Sequence, residues 1–245
     1  MPTEPLKRTA RDDDQLRAIG LEPGAVPYAE GSCKVVFGNT TVLCAASVEE
    51  KVPSWKEAIG SGWVTAEYAM LPRSTHTRRR RERSGTDGRT SEIQRLIGRS
   101  LRSVCDLDAL GPRTVTVDCD VLQADGGTRT AAITGGCVAL GLAFRSLVEL
   151  GRIEASPLRD LVAAISAGLV DARPMLDLDY REDVRAQVDM NIVGTGSGRL
   201  VEVQGAAEGN PFSREAMDQL LDLGLLGISA LVRRQRQILS EVPLA

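Results

Sequence analysis

The amino-acid sequence predicts a mixed α/β protein, and three local patterns carry this prediction. One is a strand that runs into a helix, one is a β-hairpin, and one is an amphipathic helix. These patterns lie at residues 114–136, 33–48 and 93–105. No internal repeat or low-complexity linker separates them, so we expect one compact domain over residues 1–245.

The first predicted strands form a hairpin. Residues 33–37 and 40–48 are rich in apolar and β-branched side chains, and Gly38-Asn39 between them is a good two-residue turn. Another short strand is expected within residues 60–70. The chain before the hairpin is polar and rich in turn residues, and residues 1–10 are expected to be flexible.

An amphipathic helix is predicted where apolar side chains recur at helical spacing, at Ile93, Leu96, Ile97, Leu101, Val104 and Cys105. Arg89 falls at the start of this helix, after Gly88. A cation is unfavourable at the positive end of a helix dipole. A bound anion or an acidic partner is therefore a reasonable explanation for Arg89.

Pattern alone is less decisive in the C-terminal half. Residues 161–170 are apolar and fit a buried strand or a helix equally well. Apolar and polar residues alternate over 176–180 and again over 186–192, which predicts the two strands of a hairpin.

The chain is expected to end in helices at about residues 213–239. Ser213 is a plausible N-cap for the first of them. We expect an interruption at Gly224 or Gly227, because glycine lowers helix propensity, and then a second helix.

Composition narrows the possible chemistry. The 42% apolar and 26% charged residues, with a net charge of −3, indicate an ordinary soluble protein, and we expect no apolar run that approaches the length of a membrane span. The five cysteines show no C-x-x-C spacing, which favours reduced core thiols and a cytoplasmic protein. His76 is the only histidine and no lysine follows Lys56, which excludes a two-histidine metal site and a later P-loop lysine. Chemistry should rest on carboxylates and arginines.

A glycine turn between the central strand and its helix is the first candidate site. Residues 125–130 read Asp-Gly-Gly-Thr-Arg-Thr, and backbone N–H groups and the helix dipole would favour an anion such as phosphate at Gly127. Arg129 adds a forked cation and Thr128 adds a hydroxyl. The alternative is a tight turn with a capping threonine.

An arginine-rich stretch, which we call the arginine arm, is the second candidate. It contains Arg73, Arg78, Arg79, Arg80, Arg81 and Arg83. Such a run usually forms a solvated loop. The functional alternative is an RNA-binding arm, because positive charge supplies most of the affinity for polyanions.

Two aspartates form the third candidate. If the hairpin is correct, Asp183 and Asp189 approach each other at one end of a sheet. Such oxygen ligands suit Mg²⁺, which takes one or two carboxylates and keeps several waters. The alternative is a polar, solvent-facing surface.

Long motifs in these regions resemble those of the bacterial ribonuclease PH family. They follow in order along nearly the whole chain, at residues 29–32, 62–68, 71–78, 88–102, 118–130, 176–183, 189–191 and 201–209. The resemblance implies a mixed α/β fold built from ribosomal-protein-like βαβ units. It also implies a homo-oligomer, a hexameric ring arranged as a trimer of dimers.

The activity that the resemblance implies is phosphorolytic 3′-to-5′ trimming of transfer RNA precursors and other RNA 3′ ends. Inorganic phosphate is the co-substrate that attacks the last phosphodiester, a nucleoside 5′-diphosphate leaves, and the reaction is reversible. The family's phosphate site falls on Arg89, Gly127, Thr128 and Arg129. Its catalytic acidic pair, which would hold Mg²⁺ (or Mn²⁺), falls on Asp183 and Asp189. The RNA-binding region falls on Arg73, Arg78, Arg79, Arg80 and Arg81.

The chain departs from the family pattern at three places. Thr9-Ala10 stands where Asp-Gly is usual, Tyr28 replaces a common histidine, and Asp87 replaces a glycine and adds a negative charge near Arg89. One rival function is a non-catalytic RNA-binding ring subunit of a larger exonuclease assembly. Another is a hydrolytic metal nuclease. The presence of Arg129, Asp183 and Asp189 favours the phosphorolytic enzyme.

Overall fold

Over the residues that the structure describes, the fold consists of two β-sheets and six helices. The computed structural model describes residues 6, 8, 10–81 and 87–241. The first sheet has the order β1-β2-β3-β5-β4, with strands Ile19–Pro23 (β1), Gly31–Phe37 (β2), Thr40–Glu49 (β3), Trp63–Met70 (β4) and Thr114–Gln123 (β5). The second has the order β7-β6-β8-β9, with strands Val162–Val170 (β6), Arg173–Leu176 (β7), Ala186–Thr195 (β8) and Leu200–Ala207 (β9). The helices are Ser54–Glu57 (α1), Gly88–Arg102 (α2), Leu107–Leu110 (α3), Thr128–Glu149 (α4), Tyr180–Asp183 (α5) and Arg214–Glu241 (α6).

The mixed α/β class predicted from sequence is confirmed. Strands β4 and β5 pair in parallel and are joined through α2, which makes a βαβ unit, whereas the other strand pairs are antiparallel. The hairpin turn at Gly38 is also confirmed, with φ +57° at that glycine. One buried apolar cluster includes residues of both sheets, while the single-domain expectation for residues 1–245 stays a prediction.

Helix α4 forms the centre of the core. Sixteen of its 22 residues are buried, and Gly135 lies so close to β2 that a Cβ atom there would be 2.6 Å from Val35 Cγ1. By length and composition alone α4 could span a membrane, so the expectation that no apolar run approaches that length is wrong. However, 83% of its apolar window is buried inside the protein, which is typical of a core helix.

The predicted hairpin of residues 176–180 with 186–192 is wrong. Strand β7 ends at Leu176, and β7 and β8 both pair with β6 rather than with each other. Asp177 takes a left-handed backbone with φ +55°, and Asp179 then caps α5 through a capping box with Glu182. The ambiguous apolar stretch before it, residues 161–170, is a strand.

The predicted pair of C-terminal helices at 213–239 is also wrong, because α6 is one continuous helix of 28 residues. Ser213 does accept a hydrogen bond from the Ala216 amide at 3.2 Å, as an N-cap would. Gly224 and Gly227 are packing positions: a Cβ at Gly224 would overlap Ile192, and one at Gly227 would lie 3.0 Å from Leu176 Cδ1. Close packing on the second sheet overrides glycine's low propensity.

Three further predictions concern the N-terminal segment, the cysteines and the residues outside the described ranges. Strand β1 was not expected from the turn-rich sequence before the hairpin. All five cysteines are free and four are buried, which agrees with reduced core thiols. Thr9, Arg83 and most of the N-terminal stretch expected to be flexible lie outside the described residues.

Candidate active site at the start of helix α4

The glycine turn predicted to bind an anion is where β5 passes into α4. Gly126 and Gly127 have φ +77° and +67°, a left-handed backbone that favours glycine. Gly127 is the N-cap of α4 and has no side chain to bond the first amide groups of the helix. Thr130 Oγ1 donates to the Gly127 carbonyl at 2.9 Å. A helix start of this kind offers its N–H groups and its dipole to an anion.

The turn is fixed by the β2–β3 hairpin. Thr40 Oγ1 donates to the Gly126 carbonyl at 2.6 Å and accepts from the Asp125 amide at 2.8 Å. Asn39 Nδ2 donates to Asp125 Oδ2 at 3.0 Å. The β2–β3 hairpin predicted from the sequence therefore also has a role at the site, because Asn39 and Thr40 hold the glycine turn in place.

The Arg129 side chain, in the first turn of α4, bonds to two other elements. Its Nη1 donates to Gln204 Oε1 on β9 at 3.0 Å and pairs with Glu92 Oε1 on α2 at 3.3 Å. The Arg129 side chain is only 16% exposed. Because the side chain is already held in one conformation, it loses little further conformational entropy when it binds an anion.

Arg89 is exposed in the first turn of α2, whose N-cap is Asp87. Asp87 Oδ1 accepts from the Thr90 amide at 2.6 Å, and this hydrogen bond lowers the pKa of the Asp87 carboxyl. The departure from the family pattern at Asp87 thus has a local structural role, since it caps the helix that carries Arg89.

The acidic pair lies beside these two arginines. Burial, and then the negative charge of Asp183, raise the pKa of Asp189 to about 6. Partial burial also raises the pKa of Asp183, while the positive charges of Arg89 and Arg129 oppose that rise. The charges of both arginines thus act on Asp183, and those of Asp183 and Arg129 act on Asp189. Elements far apart in sequence have brought them together.

The donor set of the acidic pair fits a hard divalent cation. Asn191 Nδ2 donates to Asp189 Oδ2 at 3.4 Å, a long hydrogen bond that leaves the other carboxylate oxygen to a ligand. Among the described residues no cluster of three or more His, Cys, Asp or Glu side chains could enclose a metal. Two carboxylates with waters are a ligand set that suits Mg²⁺.

The arginine arm starts next to the same turn. The Ala124 amide, just after β5, donates to the Ser74 carbonyl at 2.8 Å and ties the base of the arm to the site. Arg73, Arg78, Arg79, Arg80 and Arg81 are all exposed. Arg73 Nη1 donates to the His76 carbonyl at 2.7 Å. The described part of the arm thus presents its cations to solvent.

Sequence reasoning missed the residues that support the site. Tyr68 is 3% exposed, and its hydroxyl donates to Thr128 Oγ1 at 2.8 Å. It lies in the motif of residues 62–68, which pointed to the family but not to this contact. Glu92 and Gln204, the partners of Arg129, also lie in family motifs, at residues 88–102 and 201–209, but their roles depend on tertiary contacts that the motifs do not show.

Comparison with known proteins agrees with this architecture. Models of the 3′ exoribonuclease family match residues 15–145 as domain 1 and residues 160–226 as domain 2. Ribonuclease PH of Syntrophomonas wolfei is 57% identical over 231 residues, which are 94% of this chain and 97% of that protein. Ribonuclease PH of Moorella thermoacetica is 55% identical over 239 residues, which are 97% of this chain and 96% of that protein.

Solved structures with lower identity share the fold. Rice (Oryza sativa) Rrp46 is 21% identical with a TM-score of 0.76, and the match covers 94% of this chain and 98% of Rrp46. A chain of an archaeal exosome core is 22% identical with a TM-score of 0.73, over 94% of this chain and 90% of the other. From the extent of the family models and the identity to both bacterial enzymes, the chain belongs to the ribonuclease PH family of 3′ exoribonucleases.

Proposed function

We propose that this protein is a phosphate-dependent 3′-to-5′ exoribonuclease that trims transfer RNA precursors and other RNA 3′ ends. It releases nucleoside 5′-diphosphates, and the reaction is reversible. One observation carries the proposal: the charges of Arg89, in the first turn of α2, and of Arg129, in the first turn of α4, reach the acidic pair of Asp183 and Asp189. The site can therefore fix an anionic nucleophile next to an acidic pair.

The cationic half of the site would hold inorganic phosphate. Phosphate is a weak, strongly hydrated nucleophile, so the enzyme must fix it in line with the scissile bond and neutralise its charge. Arg129 is held by two partners and offers its remaining N–H groups, and the start of α4 at Gly127 and Thr128 offers backbone donors. Arg89 would contact the phosphate from α2.

The acidic half would support the reaction on the RNA side. Asp183 and Asp189 would hold Mg²⁺ (or Mn²⁺), which when bound supplies positive charge for the phosphoryl and leaving oxygens. Burial, and then the negative charge of Asp183, raise the pKa of Asp189, and a cation held by the two carboxylates would offset their repulsion. No histidine is needed, because phosphoryl transfer depends mostly on positioning and charge neutralisation.

The arginine arm would bind the body of the RNA. The protein would assemble as a homohexameric ring, a trimer of dimers, and it would act in the cytoplasm. A solved structure that shares the fold, the Archaeoglobus fulgidus exosome with RNA bound to the active site, has a TM-score of 0.75 and 21% identity over 93% of this chain and 90% of that chain. A ring would bring several arms to one substrate and so raise the effective affinity. Light scattering that finds an active monomer would contradict the ring.

Product identity tests the proposed activity. RNA is incubated with the protein and Mg²⁺, with and without inorganic phosphate, and released nucleotides are separated by chromatography. We expect nucleoside diphosphates that appear only with phosphate. Monophosphates formed equally well without phosphate would indicate a hydrolytic nuclease. RNA binding with no released nucleotide would indicate a non-catalytic ring subunit.

A further inference from the structure

We propose that Arg17 and Asp177 form a positioning pair that sets the phosphate-binding turn relative to the acidic segment. The inference rests on the proposed function and adds two residues to it. Neither side chain is placed to touch phosphate or RNA, since the Arg17 side chain is 7% exposed and that of Asp177 is 0% exposed. They are buried beneath the turn that holds Gly126 and Gly127.

The two side chains make a bidentate ion pair. Arg17 Nη2 donates to Asp177 Oδ1 at 2.7 Å, and Arg17 Nε donates to Oδ2 at 3.1 Å. The Arg17 backbone amide donates to the same Oδ2 at 2.8 Å. Three hydrogen bonds on one carboxylate fix both the position and the orientation of the guanidinium plane.

The free edge of the same guanidinium holds the phosphate-binding turn. Arg17 Nη1 donates to the Asp125 carbonyl at 2.7 Å and approaches the Gly126 carbonyl at 3.5 Å. Arg17 Nη2 is so close to Gly127 that a Cβ there would lie 3.0 Å from it. The Arg17 side chain therefore supports the turn through its backbone carbonyl groups.

Asp177 belongs to the segment that leads to the acidic pair. It follows β7 with φ +55°, and its amide donates to the Ser166 carbonyl at 2.7 Å. The following residues pack directly on the turn, since a Cβ at Gly126 would lie 2.6 Å from the Leu178 carbonyl oxygen. Six residues after Asp177, at the end of α5, comes Asp183. One ion pair thus joins the turn to the segment that carries a proposed metal ligand.

Only an arginine can make this set of contacts. A lysine keeps the charge but has one ammonium group, which cannot pair with a carboxylate through two parallel bonds and also reach the Asp125 carbonyl. Arg17→Lys should therefore leave the buried charge compensated and the fold intact, yet loosen the turn. A displacement of about 1 Å at a reacting group is enough to cost a large factor in rate.

The test compares steady-state constants of Arg17→Lys with those of the wild-type protein. We expect KM for phosphate to rise at least about tenfold, with KM for RNA unchanged within about twofold, since the pair supports the phosphate side. Asp177→Asn should shift KM for phosphate in the same direction, because asparagine tolerates the left-handed backbone but loses the charge. The double variant should raise KM for phosphate by less than the product of the two single increases, as expected for residues that share an interaction.

Arg102→Lys is the matched control. Arg102 is also a partly buried arginine, and its Nη1 donates to the Val64 carbonyl at 2.7 Å, but it lies on Trp63 at the far end of β4. Phosphate-dependent activity of the wild type tests the proposed function separately. If that activity is present and folded Arg17→Lys keeps the wild-type KM for phosphate, the positioning role is overturned. An equal rise in the Arg102 control, or loss of folding in both pair variants, would also overturn it.

Discussion

The glycine turn at residues 125–130 and the described part of the arginine arm, residues 73–81, are both cationic. Their arginines differ in exposure and in how firmly they are held. At the turn, Arg129 is 16% exposed and bonds to side chains from two other elements. In the arm, all five proposed RNA-binding arginines are exposed. Chemistry needs charges held in one geometry, whereas retention of a polyanion needs only charge of the right sign. Each prediction below tests this difference between fixed and exposed charge.

Removing the charge of the acidic pair should have the largest effect. Asp189→Asn is nearly isosteric, so the fold and RNA binding should persist, but the carboxylate that would hold Mg²⁺ is lost. We expect turnover to fall by about 100-fold or more, measured as nucleoside diphosphate released at saturating phosphate. RNA binding measured by filter retention is the control. Full activity of the variant would give Asp189 a structural role.

Removing the fixed cation, Arg129, should have the second-largest effect. Arg129→Ala deletes a charge-assisted contact worth about 1.5–3 kcal/mol, so KM for phosphate should rise at least about tenfold. Arg95→Ala, which removes an exposed cation of α2 that is not part of the proposed site, is a suitable comparison. Unchanged phosphate dependence in Arg129→Ala would place the phosphate site elsewhere.

The exposed cations should show a smaller and substrate-dependent effect. Replacing residues 78–81 by alanine should weaken binding of precursor transfer RNA and flatten its salt dependence, because fewer counterions are released. A short single-stranded oligonucleotide should be degraded nearly as before, since it need not reach the arm. Activity on both substrates is compared at two salt concentrations. Equal loss on both would show that the arm belongs to the active site or to the fold.

The smallest effect is expected from a residue that orients a phosphate-site hydroxyl. Tyr68→Phe removes the hydrogen bond to Thr128 and leaves the buried ring in place. A neutral hydrogen bond contributes about 1 kcal/mol, so KM for phosphate should rise roughly fivefold or less. Thr128→Val removes the same bond from the other side, and the two single changes should not be additive. Additive effects would show that Tyr68 and Thr128 act independently.

Local pattern predicted much of the fold but not the contacts that make the site. The β2–β3 hairpin, α2 and the strand–turn–helix around Gly127 each carry their signal within a short window, and the structure confirms them. Only the end of α2 differs, because the helix stops at Arg102, before Val104 and Cys105 of its predicted apolar stripe. The alternating pattern of residues 176–180 gave a wrong strand prediction. Asp177 is buried and Asp179 is a helix cap, so their alternation with apolar residues does not reflect a strand.

The supporting contacts depend on residues far apart in sequence. Arg17 and Asp177 are separated by 160 positions, and Arg129 and Gln204 by 75. No local periodicity can report such pairs. The resemblance to a family indicated which residues to expect at the site, whereas the structure shows what holds them there.

The most direct test of whether the fixed charge of Arg129 binds the attacking phosphate is to trace labelled phosphate into the product. Unlabelled RNA is digested in radiolabelled inorganic phosphate by the wild-type protein and by Arg129→Ala, and label in the released nucleotides is measured. The account predicts label in the terminal phosphate of the nucleoside diphosphates from the wild type, and at least about tenfold less from the variant at limiting phosphate. Unlabelled monophosphates from the wild type, or equal labelling by both proteins, would contradict it.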